Sequence, residues 1–389
     1  SGCQNNGQRL FNIGALGQLS EADYDGLQPI QWPVTVDRPQ GTARLFADGQ
    51  FVTPTGLGRF IAISPRLPTQ RKSQRKFPLI LNSGRIRDQW HSMTRTARAA
   101  SLLDHTDQPF VAMHPDTAAA AGLQGGDLAE VSTRQGAIRL ITAIDQGIKP
   151  AQLFIPIHWS DQNAHSARVD TLIEPIFDPI SGQPQFKYSR AALNKIETPC
   201  WATLVSRTAL DCSGFLNWTS AALPKQQGFI YQVAVRAEFN WQGYVSESFQ
   251  FTADAEEKAG TMAYGQFSDA ANLDQRLIGY SDQQMEIAIF SHRNKSSLPA
   301  KTWMQDRFNN RTTESYWRLL SGPDMSLAEN DGKLICSCFN ISEARLITAI
   351  EAGACSAQQL GEQLQCGTNC GSCIPELNSL ISQTTRTTP

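Results

Sequence analysis

Residues Pro78-Leu-Ile-Leu-Asn-Ser-Gly-Arg85 form a short apolar run that stops in a turn of small residues followed by a cation. A run of that length, closed by Ser-Gly, suits a strand better than a helix. Four more such runs follow, Phe110-Val-Ala-Met113, Leu128-Ala-Glu-Val131, Ala137-Ile-Arg-Leu-Ile-Thr-Ala-Ile144 and Leu153-Phe-Ile-Pro-Ile157, separated by turn signals at Gly125-Gly126 and Gln135-Gly136. Closely spaced strands with one face or both buried indicate a compact β-barrel or sandwich. One helix interrupts them: Pro115 suits its first position, Asp116 the positive end of its dipole, and Gly122 a left-handed stop. The spacing assigns residues 77–200 to one domain.

Upstream, Arg71, Lys72, Arg75 and Lys76 crowd a charged segment that reads as a solvated linker. Residues 1–76 are rich in Gly and Pro. They hold strand-like pieces at Ala43-Arg-Leu-Phe46 and Arg59-Phe-Ile-Ala-Ile63 between the turns Asp48-Gly49 and Pro54-Thr-Gly56, and read as the tail of a larger unit plus a linker. The chain opens on Ser1 with no basic segment leading into an apolar one, so no secretory signal is read and a fragment is expected. Downstream, residues 201–325 mix the strand Phe229-Ile-Tyr-Gln-Val-Ala-Val235 with a helix over Ala300–Phe308. With Trp218, Trp241, Trp303 and Trp317 they form an intervening α+β domain with an aromatic core.

At 389 residues the chain is too long for one small module, and its 41% hydrophobic and 18% charged residues exclude a disordered or fibrous protein. Thirty-four Lys+Arg against 36 Asp+Glu leave a formal charge of -2, which gives no general attraction to nucleic acid or an anionic membrane. No run is long enough to cross a bilayer as a helix.

Six of the nine cysteines, Cys336, Cys338, Cys355, Cys366, Cys370 and Cys373, fall in residues 326–389. An odd total crowded at one end is not a disulfide framework; it reads as thiolate ligation in a reducing, cytoplasmic compartment. Cys3, Cys200 and Cys212 are assigned no role. Cys336-Ser-Cys338 and Cys370-Gly-Ser-Cys373 can bring four thiolates to one centre. Asn340 with Glu343 reads as a capping box for a helix that Gly353 ends, Ser356 with Gln359 repeats the device, and Pro375 suits the start of a last helix. Thiolates near helix N-termini favour a metal or cluster, but zinc and [2Fe-2S] both accept four sulfurs.

The C-x-C pair, 31 residues, and the C-x2-C pair within Thr368-Asn-Cys-Gly-Ser-Cys-Ile-Pro-Glu-Leu377 resemble the bacterioferritin-associated-ferredoxin-like [2Fe-2S] domain. That resemblance implies Cys336, Cys338, Cys370 and Cys373 as ligands and leaves Cys355 and Cys366 outside the set. The strand-end loop Leu81-Asn-Ser-Gly-Arg85 with Asp88-Gln-Trp-His-Ser-Met-Thr-Arg-Thr96 offers backbone N–H groups, hydroxyls and cations suited to a phosphate or pterin edge. A plain polar turn with Trp90 anchored in a core explains it nearly as well. With the Pro115 helix, Gly126-Asp127, Pro156-Ile-His-Trp159, Asn163 and Lys187-Tyr188, however, this domain resembles the molybdopterin-dinucleotide-binding domain of the molybdopterin oxidoreductases. The resemblance implies a double-psi β-barrel and cofactor-binding roles for Ser83, Gly84, Arg85, His91, Ser92, Thr94, His158, Asn163 and Lys187. His105, His114, His165 and His292 read as structural or surface histidines.

The two matches in one chain resemble the C-terminal portion of the bacterial assimilatory nitrate reductase catalytic subunit. That family binds molybdenum bis(molybdopterin guanine dinucleotide). It implies a multidomain α+β chain, nitrate as substrate, a ferredoxin, flavodoxin or NAD(P)H-dependent reductase as electron donor, and no nucleic-acid or membrane partner. The family's [4Fe-4S] motif and molybdenum-ligating side chain belong to an N-terminal part absent here, so no catalytic residue is assigned and this chain alone is expected to be inactive. Two alternatives stand: another molybdopterin oxidoreductase such as formate dehydrogenase, and a non-catalytic iron–sulfur or zinc module for docking or sensing.

Overall fold

Along the first strand the side chains of Leu81 and Ser83 are buried while Asn82 between them is less so, the alternation of a strand with one face on a core. The computed structural model describes residues 10–62, 75–179, 181–223, 227–249, 263–281, 284–309, 316–323 and 332–387. The chain divides into two units, Ser1–Thr69 and Gln70–Pro389.

The described part of the first unit holds a 3-10 turn at Gly14–Gln18 and a helix, α1 (Glu21–Asp25), capped by Ser20 Oγ accepting from the Asp23 N–H. The strand expected at Ala43–Phe46 does not form. The turns do: Gly49 N–H donates to the Phe46 carbonyl and Gly56 N–H to the Thr53 carbonyl. Phe46 adopts φ +57° and stacks on Phe51 at 4.9 Å, so the segment folds back on itself without a partner strand. Residues 59–62 likewise have no strand partner among the described residues, and Ile63 lies outside them.

In the second unit, β1 (Leu79–Gly84), β2 (Phe110–Met113), β3 (Leu128–Ser132), β4 (Ala137–Ile144), β5 (Gln152–Pro156) and β6 (Ser189–Lys195) close a six-stranded barrel in the order β1-β5-β2-β4-β3-β6. β1 runs parallel to β5 and β2 to β4, while the other neighbours are antiparallel. Helix α2 (Pro115–Ala120) connects β2 to β3, with His114 capping it through Nδ1 and Gly122 in the left-handed conformation. The core is aliphatic: Leu81, Val111, Met113, Val131, Leu140, Leu153 and Ile155.

A second sheet follows, from β7 (Cys200–Ser206), β8 (Asn217–Ala222), β9 (Phe229–Val235), β10 (Ala263–Asp269), β11 (Asp274–Ser281) and β12 (Gln284–His292), in the antiparallel order β10-β11-β12-β7-β9-β8. Its strand alternation feeds two cores. One packs α3 (Trp241–Phe249), where Phe215, Phe239, Trp241 and Tyr244 form a tilted-ring cluster; the other packs α4 (Lys301–Asn309) and α5 (Tyr316–Leu320) through Met304, Phe308 and Leu319. Cys200 opens this sheet, so the barrel ends with β6 and the second sheet begins at β7. Edge strand β8 is covered by a barrel loop: Ala164 bridges Thr219, His165 N–H donates to Trp218 O, and Ser220 N–H donates to Asn163 O.

The last module is a ribbon of β13 (Leu334–Cys336) and β14 (Ile341–Ser342) with α6 (Glu343–Glu351), α7 (Ala357–Leu364) and α8 (Ile374–Thr387) around Ile335, Leu346, Leu360 and Leu377. Ser356 caps α7 through the Gln359 N–H, as the sequence indicates. The α6 expectation needs correcting: Ser342 is the N-cap, and Asn340 instead takes φ +52° in the ribbon turn, which needs a left-handed residue more than the helix needs a side-chain cap.

Candidate functional site

The loop after β1 departs from ordinary backbone three times, at Asp88 (φ +69°), His91 (φ +43°) and Met93 (φ +60°). Such conformations persist only where surroundings enforce them. Met93 is buried in the barrel core as a plug. Thr96 Oγ1 donates to Gln89 Oε1 at 2.8 Å, and Gln89 Nε2 donates to Leu102 O at 2.8 Å. From the far side comes His158, fully buried just after β5: its Nε2 lies 3.0 Å from the Ile86 N–H and its Nδ1 2.6 Å from the His91 carbonyl. Those partners assign the tautomer, with Nε2 accepting and Nδ1–H donating. Burial pushes the ring's pKa below the ordinary 6.5, against the opposing pull of the His91 carbonyl, so the imidazole is held neutral.

This bracing leaves Arg85, His91, Ser92 and Thr94 exposed, together with Trp90, which is 55% exposed rather than anchored in a core. Among the described residues the side-chain polar atoms of Arg85, His91, Ser92 and Thr94 make no hydrogen bond. Ser83 and Lys187 each make one contact within the protein: Ser83 Oγ donates to Phe186 O at 2.8 Å, and the Lys187 ammonium donates to Ser83 O. At Gly84 a Cβ would stand 2.7 Å from Phe154 Cε2, so the close approach of β1 to β5 needs glycine. Asn163 is half-buried, its Oδ1 accepting from Ser160 N–H at 2.9 Å and its Nδ2 4.0 Å from Met93 Sδ. One buried acceptor beside the loop, Asn82 Oδ1, has no hydrogen-bond partner, a residue the sequence reading passed over. Free donors outside and an unmet acceptor at the strand end fit a ligand with phosphates and an amide-bearing ring.

In the C-terminal module the four motif cysteines stand as two pairs. Cys338 Sγ donates to Cys370 Sγ at 3.4 Å, and Cys373 hydrogen-bonds Cys336, so each pair joins one cysteine of each motif. All eight described cysteines are free thiols. Gly371, at φ +71°, makes the turn between Cys370 and Cys373, and Cys373 sits at the N-terminus of α8. Ser372, by hydroxyl and backbone N–H, favours the Cys370 thiolate and lowers its pKa, whereas Cys338, the donor in that pair, is raised. Burial, with Cys336 adding, pushes Cys373 to about 12. Buried thiols of this kind ionise when a metal ion replaces the proton. Cys366 is buried beside Cys336, a fifth sulfur close to the motif pairs, while Cys355 is exposed and bonded to Gln359. Among the described residues no three His, Cys, Asp or Glu side chains are gathered round one point as a mononuclear ion requires.

Comparison with known proteins identifies both regions by class. Residues 79–190 match the molydopterin dinucleotide binding domain, and residues 334–383 match the BFD-like [2Fe-2S] binding domain. Along 98% of its length the chain is 33% identical to a nitrate reductase of Klebsiella oxytoca, covering 42% of that protein. It is 28% identical to the assimilatory nitrate reductase catalytic subunit of Bacillus subtilis over 43% of this chain and 24% of that one. An F420-dependent formate dehydrogenase 1 subunit alpha of Methanococcus maripaludis is 30% identical over 44% of this chain and 24% of its own. The chain thus spans about two fifths of the length of the relative it matches end to end. Among the described residues no helix is long and apolar enough to cross a membrane.

Proposed function

We propose that this chain is the C-terminal part of a cytoplasmic, molybdenum-dependent assimilatory nitrate reductase, in which the barrel binds molybdopterin guanine dinucleotide and the last module carries a [2Fe-2S] cluster. The observation that carries the reading is similarity along the whole chain, second sheet included, to a nitrate reductase, whereas the formate dehydrogenase similarity covers less than half. The bound molybdenum group would supply the chemistry, two-electron removal of an oxygen atom from nitrate with uptake of two protons to give nitrite and water. Arg85, Ser92, Thr94 and His91 are the free donors that would hold the dinucleotide's phosphates and pterin edge, with Asn82 Oδ1 accepting from it. His158, Ser83 and Lys187 would serve by keeping the loop and strand end in place. The match of residues 334–383 to a BFD-like [2Fe-2S] binding domain, with Cys336, Cys338, Cys370 and Cys373 inside it, favours a centre with two irons over a single zinc.

In this reading electrons enter one at a time at the cluster, from a ferredoxin, a flavodoxin or an NAD(P)H-dependent reductase, and pass inward. Replacing Cys370 and Cys373 by Ser in the full-length enzyme is expected to abolish nitrate reduction driven by the protein donor. Activity with small artificial donors that reach the inner centres is expected to survive. Equal loss in both assays would refute the relay.

A further inference from the structure

The loop bearing the free donors also touches the cysteine module, through residues that the cofactor reading leaves unused. Arg87 Nη2 donates to the Ile335 carbonyl at 2.6 Å and lies 2.9 Å from Glu376 Oε2, a close charge contact without hydrogen-bond alignment. Asp88 goes further. Ser337, between Cys336 and Cys338, donates to Asp88 Oδ2 at 3.3 Å, and Ser372, between Cys370 and Cys373, donates to Asp88 Oδ1 at 3.0 Å. A single carboxylate, its side chain only 7% exposed, thus joins the middles of both cysteine motifs to the cofactor loop. Ser372 Oγ also stands 3.2 Å from Cys370 Sγ, so sulfur, hydroxyl and carboxylate form one contiguous hydrogen-bonded path. Burying the Asp88 carboxylate is tolerable because both of its oxygens accept hydrogen bonds.

We propose that Asp88 is a positioning residue that seats both cysteine motifs against the cofactor loop and places a negative charge beside the cluster. The proposal deepens the [2Fe-2S] reading of the module and rests on it for the effect on the cluster; the seating itself stands on the contacts above. The left-handed backbone at Asp88 accepts Asn well, so D88N removes the charge and leaves the loop's conformation intact.

The test compares D88N with the parent chain, both loaded with iron and sulfide, by iron content, potentiometric titration and amide exchange. Iron and sulfide are expected to match the parent. The cluster midpoint potential is expected to rise, because a nearby negative charge is gone and Ser372 is free to donate to Cys370 sulfur. Exchange in residues 334–338 and 366–373 is expected to quicken by roughly tenfold or more as hydrogen bonds to a charged group are lost. The double variant S337A/S372A, which leaves Asp88 in place, is expected to show the same faster exchange. An unchanged potential and unchanged exchange in D88N with the cluster intact would overturn the proposal, as would unchanged exchange in the double variant. If the parent holds no iron or sulfide, the cluster reading fails by itself, and the exchange comparison on the same chains still decides the seating.

Discussion

His158 concentrates the residue-scale argument. Its two ring nitrogens tie Ile86 and His91, on either side of the strained turn, so its loss would free the loop at both points. His158→Ala is expected to destabilise the barrel by roughly 2–4 kcal/mol, from two lost hydrogen bonds plus a cavity, measured by denaturant unfolding. An effect below about 0.5 kcal/mol would show that the loop is held elsewhere. The pH dependence has a definite sign. The unfolded imidazole takes up a proton near 6.5 while the buried one resists it, so this contribution is complete above about 6.5 and declines as the pH falls below that value towards the lowered folded pKa. His158→Gln should flatten that part of the stability profile. The sequence showed where His158 lies, next to Trp159 at a strand end. It could not show that the ring is wholly used by the protein, because Ile86 and His91 approach it only through the barrel closure.

Between elements, the closest fit is β1 against β5 at Gly84. Gly84→Ala places a methyl 2.7 Å from the Phe154 ring and is expected to cost about 1–3 kcal/mol. Adding Phe154→Leu should recover part of that loss; additive penalties in the double variant would deny the contact. Helix α8 offers a second case. Burial raises the Glu376 carboxyl, but the His105 hydrogen bond with the Lys333, Arg87 and His105 charges outweighs it and brings the pKa down to about 2. The docking contribution of Glu376 is then complete above about 4.5 and lost as the pH falls towards 2. A carboxyl titration by NMR with a midpoint near 4.5 would contradict this. Five of the six barrel strands were legible because short apolar runs between Gly-rich turns have few other solutions; β6, Ser-Arg-Ala-Ala-Leu-Asn-Lys, was not, since only its middle is apolar. Ala43–Phe46 had the same composition but no partner strand, and the turn signals around it were realised without it. The ionic latch of Arg87, Asp88, His105 and Glu376 was not legible: it needs Glu376 of α8 to meet Arg87 and His105 of the barrel loops, which no local pattern encodes.

For the whole molecule, the second sheet acquires a role that its sequence withheld. Strand β8 holds the backbone of Asn163 and His165, so the sheet buttresses the loop that follows β5. Ser220→Pro, which removes the N–H donated to Asn163, is expected to loosen residues 160–165 in amide exchange without altering iron binding by the cysteine module. Loss of both together would place the sheet in the assembly of the whole unit instead. The cysteine module was readable from spacing, and its pairing with a dinucleotide-binding barrel from a family resemblance. The joint between them was not, since it depends on hydroxyls and a carboxylate that carry no motif. The most direct test of the whole account is elemental and spectroscopic analysis of anaerobically prepared protein. About two irons and two acid-labile sulfides per chain, with an electron paramagnetic resonance signal after dithionite reduction, are predicted. One zinc per chain with no sulfide would contradict it.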